Sequence, residues 1–262
     1  MTKLNQAIEN LKDFFTAQER VAIAFSGGMD SSFLALFAQK HIPGKYIALL
    51  VNSQFMSESE LNIARSSAEK YKLNLKEIKV DVLSNPDVLC NSLQRCYHCK
   101  KAIFTILLEQ AQGATLCEGS VTDDDDDFRP GKLALSELRI KSPLKDSGFS
   151  KDMIAEALRN FGAGELIRPA QSCLATRLAT GVEISGQRLR QIELGERILR
   201  EAGLTFFRLR HHGEIARIEV NPSEIHKAFD LVRNLSDELK KLGFRHIALD
   251  VDGYKKGSMN RQ

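Results

Sequence analysis

VAIAFSGGMDSS, residues Val21 to Ser32, is the stretch from which the fold is read. The apolar run Val21 to Phe25 reads as a strand buried on both faces, as in a parallel sheet. Gly27 and Gly28 follow at once, then Asp30, Ser31 and Ser32, then an apolar helix-like run from Phe33 to Phe37. A strand, a glycine turn and a helix start in that order form a cradle for phosphate. The glycines let the backbone approach an anion, successive N–H groups line a concave nest, and the helix start adds about half a positive charge. The hydroxyls of Ser26, Ser31 and Ser32 are placed to donate to the same oxygens. A carboxylate at Asp30 belongs beside phosphate only if it orients a donor or binds Mg²⁺. No Gly-Lys-Ser/Thr closes the loop, so it is not a Walker A motif.

Upstream, Leu4, Ile8, Leu11, Phe14 and Phe15 recur at helical spacing and predict a first helix packed on the sheet. Downstream, Ile42-Pro43-Gly44 stops the helix that follows the cradle. Lys45 to Val51 reads as a second buried strand. Its C-terminal loop, Asn52 to Met56, lies where open α/β sheets bind nucleotides. Ser57-Glu58-Ser59-Glu60 is a capping box opening a helix to about Tyr71. Leu75, Ile78, Val80 and Val82 suggest a third strand, and Ala114 to Glu118 a fourth. This alternation predicts an α/β fold with a doubly wound parallel sheet. Gly119 and Ser120 then lead into VTDDDDDFRPG. Five aspartates are by default a solvated loop. Their place past a strand end also puts Asp125 to Arg129 on the edge of the cradle, with Arg129 the better phosphate candidate. Ser150 caps a helix through Met153, Ile154, Ala157 and Leu158, ended by Gly162.

The character changes after Gly164, which divides the chain into residues 1–164 and a smaller C-terminal α+β domain, 165–262. Ile167 to Arg177, IRPAQSCLATR, is a loop that places Cys173 four residues before Arg177. A cysteine in an electropositive loop can be held as thiolate, the nucleophilic form; a buried structural cysteine is the competing reading. A long helix spans about Ser185 to Ala202. Thr205 to Val220, TFFRLRHHGEIARIEV, alternates as a hairpin that turns at Gly213. Phe207, Leu209 and His211 form an apolar face; Arg208, Arg210 and His212 form a cationic one. The arginines either pair with acids across the strands or grip a phosphate bidentately. A helix from Asn221-Pro222 to about Leu242 and a strand from Ile247 to Val251 complete an α-β-β-α-β tail.

Composition is that of a globular chain, 43% hydrophobic and 27% charged. A net charge of +3 gives no general electrostatic case for nucleic acid. No apolar run approaches the roughly 20 residues of a membrane span, and the N-terminal helix lacks a signal-peptide core, so a cytoplasmic protein is expected. Cys90, Cys96, Cys99, Cys117 and Cys173 are odd in number and expected to stay reduced. Cys96 and Cys99 form a CxxC beside His98, Lys100 and Lys101. Half a zinc or iron–sulfur site, a redox pair and a packed helix start all remain open for it.

SGGMDSS resembles the SGGxDSS signature of the PP-loop ATP pyrophosphatases, which cut ATP between its α and β phosphates and place AMP on a substrate oxygen. The whole set, AFSGGMDSS, RCYHCKK, EGSVTDDDDDFRPG, RPAQSCLATR and FRLRHHGEIARIEV, resembles one PP-loop family over nearly the full chain. That family is the ATP-dependent sacrificial sulfur transferases, LarE, of nickel-pincer nucleotide synthesis for lactate racemase.

The resemblance implies that ATP, with Mg²⁺, adenylates a carboxylate of pyridinium-3,5-dicarboxylate mononucleotide, forming AMP and pyrophosphate in all. A cysteine attacks the acyl-adenylate and expels AMP. The C–S bond on the protein side then breaks, leaving a thiocarboxylate on the substrate and dehydroalanine in the chain. By motif position Cys173 is the sulfur donor. Ala24, Ser26, Gly27, Gly28, Asp30, Ser31, Ser32, Gly119 and Arg129 hold the nucleotide. Arg177, Arg208 and Arg210 bind substrate phosphate or carboxylate, and Asp30, Glu196 and Glu219 are metal candidates. His211, His212 and a nearby carboxylate remain open as the base. An iron–sulfur cluster would have to recruit Cys96 and Cys99 from outside the Cys173 loop, so single-use donation is favoured. The resemblance also implies a homo-oligomer and leaves open contact with other enzymes of the pathway, while charge balance and the short apolar runs lead us to expect no nucleic-acid or membrane partner. Rival readings are another PP-loop enzyme, a tRNA thiolase or an amide-forming synthetase, and a non-enzymatic nucleotide- or metal-binding protein.

Overall fold

In the computed structural model, which describes residues 2–124, 130–169, 171–255 and 258–260, the cradle lies between a strand and a helix as expected. The order along the chain is α1 (Lys3–Thr16), β1 (Val21–Phe25), α2 (Met29–His41), β2 (Tyr46–Ser53), α3 (Glu58–Lys70), β3 (Leu75–Val80), α4 (Pro86–Leu89), α5 (Arg95–Ala111), β4 (Thr115–Cys117), α6 (Pro130–Glu137), α7 (Pro143–Asp146), α8 (Lys151–Asn160), α9 (Gly186–Glu201), β5 (Phe207–His212), β6 (Ile215–Val220), α10 (Ile225–Lys240) and β7 (His246–Leu249). Two compact units result. One comprises Met1–Val82 and Cys96–Gln171, the other Leu83–Arg95 and Ser172–Gln262.

In the first unit, β1 to β4 make an all-parallel sheet of order β3-β2-β1-β4. Chain direction across the sheet reverses between β1 and β4, so the crevice at their carboxyl ends is the expected ligand position of a doubly wound fold. Lys141 extends the sheet beside β4: its N–H donates to Leu116 O, and its carbonyl accepts from Glu118 N. Helix α2 is the centre of the core. Ser31 to Ala38 are all buried, because SSFLALFA is apolar around the whole helix rather than along one stripe. Phe33 and Phe37 meet Phe15 of α1, Phe149 and Phe161 at ring separations of 5.3–6.4 Å. Against the sheet, α3 turns the small residues Ala64 and Ala68 inward. That allows a close approach at the cradle, since a Cβ on Gly27 would lie 2.6 Å from the Ala64 Cβ.

The second unit is a three-stranded sheet of order β5-β6-β7, with β5 and β6 antiparallel and β6 and β7 parallel. The α-β-β-α-β tail read from the sequence is therefore present as α9 to β7. Helix α9 sits so close that a Cβ on Gly195 would reach 2.4 Å from the Leu209 side chain. Residues 83–95 join this unit through backbone bonds from Gly181 N to Asn91 O and from Ile184 N to Leu89 O, both 2.9 Å. The cationic side of the hairpin is largely covered: residues 207–211 of β5 are all buried, with Arg208 and Arg210 8% and 5% exposed, and only His212 at the strand end is exposed. Both faces of this strand are covered, and alternation alone does not say how many faces a sheet buries. Among the described residues no helix is long and apolar enough to cross a membrane.

Candidate active site

Gly27 adopts φ +72°, a conformation that side chains rarely tolerate, and turns the chain out of β1. Gly28 then starts α2 without a side-chain cap, leaving the first helical N–H groups facing the turn. The serines tie the loop to itself. Ser31 Oγ donates to Gly28 O at 3.2 Å, accepts from Ser26 N at 3.2 Å and lies 3.1 Å from Ser26 Oγ, which accepts from Gly28 N at 3.3 Å. Gly119, just past β4, closes the other side; a Cβ there would stand 3.1 Å from Ser31 N. Ala24 lies half-buried one residue before the end of β1. Ser26, Gly27, Gly28, Asp30, Ser31, Ser32 and Gly119 thus converge. Arg129, with Asp125 to Phe128, lies outside the described residues.

Two atoms of this cradle stand out. Asp30 Oδ1 and Ser32 Oγ are buried with no hydrogen-bond partner. A buried polar atom normally finds one, and leaving it unpaired costs about 1–3 kcal/mol. Burial pushes the Asp30 carboxyl up to about 6; Lys151 opposes this, while Asp124, Asp123 and Glu118 add to it. A desolvated carboxylate with acidic neighbours at a phosphate cradle fits a hard divalent cation with oxygen ligands. Among the described residues no group of three or more His, Cys, Asp or Glu is close enough to form a complete protein cage. Mg²⁺ characteristically takes one or two carboxylates plus substrate phosphates, so the donor set still suits it.

Cys173 precedes a single 3₁₀ turn, Leu174–Arg177. Its thiol is half-buried and in no disulfide. Arg177, only 2% exposed, holds this loop. Its Nε and Nη2 donate to the two carboxylate oxygens of Glu196 at 2.9 and 3.1 Å. Its Nη1 donates to Ser172 O at 2.7 Å and to Cys173 O at 3.2 Å. Glu196 also accepts from Leu209 N at 3.2 Å, which anchors the pair to β5. Arg210 donates to Glu219 at 2.8 Å and to Thr176 O at 3.1 Å, so a second arginine reaches the same turn. Glu219 in addition pairs with Arg217 and accepts from Ser258 Oγ. Glu196 and Glu219 are therefore each engaged by arginines here.

Arg208 differs. Its Nη1 donates to the carbonyl of Phe207 at 2.7 Å, and its guanidinium lies over the rings of Tyr254 and Phe206 at 5.6 and 5.8 Å. Among the described residues it has no carboxylate partner. Burial, then the Arg177 charge, pulls its pKa below the ordinary arginine value. A buried cation without a counter-ion suits an anionic ligand. The histidines are more committed. Gly213 N donates to His211 Nδ1, so the proton sits on Nε2 and is directed to Gln191 Oε1 at 3.1 Å. Arg217 Nε donates to His212 Nε2 at 3.2 Å. Burial lowers the pKa of both rings, favouring the neutral form a base requires.

Two residues not singled out from the sequence also reach the cradle. Arg168 Nη2 donates to Gly27 O at 2.7 Å, from 141 residues away in the chain. Lys151, at the start of α8, supplies the positive charge felt by Asp30, and its N–H donates to Asp123 Oδ2 at 2.8 Å. Arg168 opens the RPAQSCLATR stretch, but its contact with the cradle is not legible there, and no local motif marks Lys151. Of the remaining cysteines, Cys117 is buried in β4, where burial raises its pKa and keeps it protonated. Cys96 and Cys99 lie in the first turns of α5, exposed and half-buried respectively.

Comparison with known proteins identifies relatives along the whole chain. A family model described as NAD synthase matches residues 3–96. Slr1717 of Synechocystis, an uncharacterized protein, is 31% identical, with 98% of each chain covered. MJ0830 of Methanocaldococcus jannaschii, also uncharacterized, is 31% identical over 97% of this chain and 98% of its own. The pyridinium-3,5-bisthiocarboxylic acid mononucleotide synthase of Lactiplantibacillus plantarum is 29% identical over 99% of this chain and 94% of its own. With a PP-loop nucleotide-binding half and end-to-end similarity to these proteins, the chain belongs to the LarE family of the PP-loop ATP pyrophosphatases.

Proposed function

We propose that this protein is an ATP-dependent sulfur transferase. It adenylates a carboxylate of pyridinium-3,5-dicarboxylate mononucleotide and replaces the activated oxygen with the sulfur of Cys173. The unit of residues 1–82 and 96–171 supplies the ATP chemistry, and the unit of residues 83–95 and 172–262 supplies the sulfur and the substrate's anion contacts. The observation that carries the reading is the cradle itself: a glycine turn between strand and helix in which Asp30 Oδ1 and Ser32 Oγ are buried without partners. The near full-length similarity to the Lactiplantibacillus pyridinium-3,5-bisthiocarboxylic acid mononucleotide synthase supports the reading.

In the first step a substrate carboxylate oxygen attacks the α-phosphorus, and the bond to the β-phosphate oxygen breaks with its electron pair leaving on pyrophosphate. The loop N–H groups and serine hydroxyls stabilise that charge. Asp30, with Asp123 or Asp124 beside it, would hold Mg²⁺, which when bound supplies further neutralisation of the phosphates. Because AMP is a good leaving group, the Cys173 thiolate can next attack the acyl carbon at neutral pH, forming a thioester and releasing AMP. Removal of the Cys173 Cα proton then expels the thiocarboxylate sulfur and leaves dehydroalanine. Arg177 holds the carbonyls of Ser172 and Cys173 and so fixes the loop for this elimination. Arg208 is the cation best placed to receive the substrate's phosphate or carboxylate.

Intact-protein mass spectrometry after incubation with Mg-ATP and the pyridinium dicarboxylate nucleotide tests the reading. The expected result is a loss of about 34 Da, one H₂S, mapped to Cys173. An unchanged mass with sulfur on the product would replace single-use donation by a cluster or persulfide donor. An unchanged mass without product would favour a tRNA-thiolating or amide-forming PP-loop enzyme.

A further inference from the structure

Arg168 has no part in the chemistry described so far. Its bond to the Gly27 carbonyl is the one hydrogen bond its guanidinium makes among the described residues, although the group carries five N–H donors and is half-buried. Gly27 is a rigid anchor, fixed by its positive φ and by contact with Ala64, so the arginine is held at the rim of the cradle rather than swinging free. The local charge also calls for a cation. Asp30 faces Asp123, Asp124 and Glu118, and Lys151 is the cation among the groups acting on it. A pyrophosphate entering that acidic surrounding is favoured by a further cation beside that lysine and the loop N–H groups. A planar guanidinium with donors to spare is the side chain best suited to phosphate oxygens.

We propose that Arg168 binds the β- and γ-phosphates of ATP, using Gly27 O as its fixed tether, and neutralises the charge that passes to pyrophosphate as the α–β bond breaks. This rests on the reading of the cradle as an ATP site and assigns its pyrophosphate side. A bracing role alone would use Arg168 only to hold the turn. The two roles separate by ligand, since a brace supports every ligand of the loop whereas a phosphate contact serves only those that carry the pyrophosphate.

The test is calorimetric titration of the full chain with Mg-pyrophosphate, Mg-ATP and AMP, for wild type and for Arg168→Ala, Arg168→Gln and Arg168→Lys, with thermal melts alongside. Arg168→Ala should weaken pyrophosphate and ATP at least about tenfold, leave AMP within about twofold and slow pyrophosphate release about 10²-fold. Arg168→Gln keeps a donor for Gly27 O but no charge and should resemble Ala. Arg168→Lys should recover most of the loss. Equal loss of AMP and pyrophosphate, full recovery by Gln, or unchanged pyrophosphate binding would each overturn the proposal. Wild-type protein that binds none of the three ligands would instead overturn the ATP reading beneath it.

Discussion

Replacing Asp30 by asparagine should stabilise the protein while abolishing its ATP chemistry. The carboxyl is pushed from 3.8 to about 6, chiefly by burial. The folded state therefore holds the Asp30 proton more tightly than the unfolded chain does. Wild-type stability at this site falls as pH rises from about 4 to about 6, and the deficit is complete above about pH 7. A pKa difference of roughly 2 corresponds to about 3 kcal/mol as an upper value; partial exposure of Asp30 and solvent screening reduce it to about 1–2 kcal/mol. Asparagine fills nearly the same space without charge. Asp30→Asn should thus melt about 2–8 °C higher at pH 8, with most of the gain gone at pH 4, where aspartate is protonated in both states. Scanning calorimetry at the two pH values reads this directly. Pyrophosphate release from Mg-ATP by the same variant should fall about 10²-fold or more. A variant no more stable than wild type at pH 8, or equally stabilised at both pH values, would refute the burial argument. Retained pyrophosphate release would refute the role of the carboxylate.

Cys173→Ser should still bind Mg-ATP and release pyrophosphate with substrate present, yet yield no thiocarboxylate and no mass loss; product from this variant would move the sulfur donor elsewhere. Gly27→Ala forces a Cβ to within 2.6 Å of Ala64 at a positive φ, so urea denaturation should show a loss of about 2 kcal/mol or more, and ATP binding should fail. Glu196→Ala leaves Arg177 buried without its counter-ion, and equilibrium unfolding of the second unit should register a cost of about 3–5 kcal/mol. Burial lowers the pKa of both His211 and His212, so the unfolded chain binds their protons first. Their contribution is present above about pH 6.5 and is lost as pH falls below it, opposite in sign to that of Asp30, and His211→Gln should flatten that part of the stability profile.

The cradle and the order of strands and helices were legible because both are local. Phosphate binding between a strand and a helix needs glycine, hydroxyl and helix start within a few residues, and SGGMDSS supplies them together. Period-2 and all-apolar runs likewise located β1, β2 and the β5–β6 hairpin before any packing was known. RPAQSCLATR placed a cysteine and an arginine four residues apart, but the sequence alone left open what that arginine touches.

What only the tertiary structure decided is which charges are spent and which remain. Arg177, Arg208 and Arg210 look alike in the sequence. In the fold Arg177 is consumed by Glu196 and the Ser172–Cys173 backbone, and Arg210 by Glu219, while Arg208 rests on aromatic rings with no carboxylate partner among the described residues. Arg168 reaches Gly27 across 141 residues, a contact no local pattern encodes. The physical reason is that the conformation of a turn depends on its own few residues. Availability of a cation for a ligand depends instead on which acids the rest of the chain brings within hydrogen-bond distance, and on how far burial removes water from both.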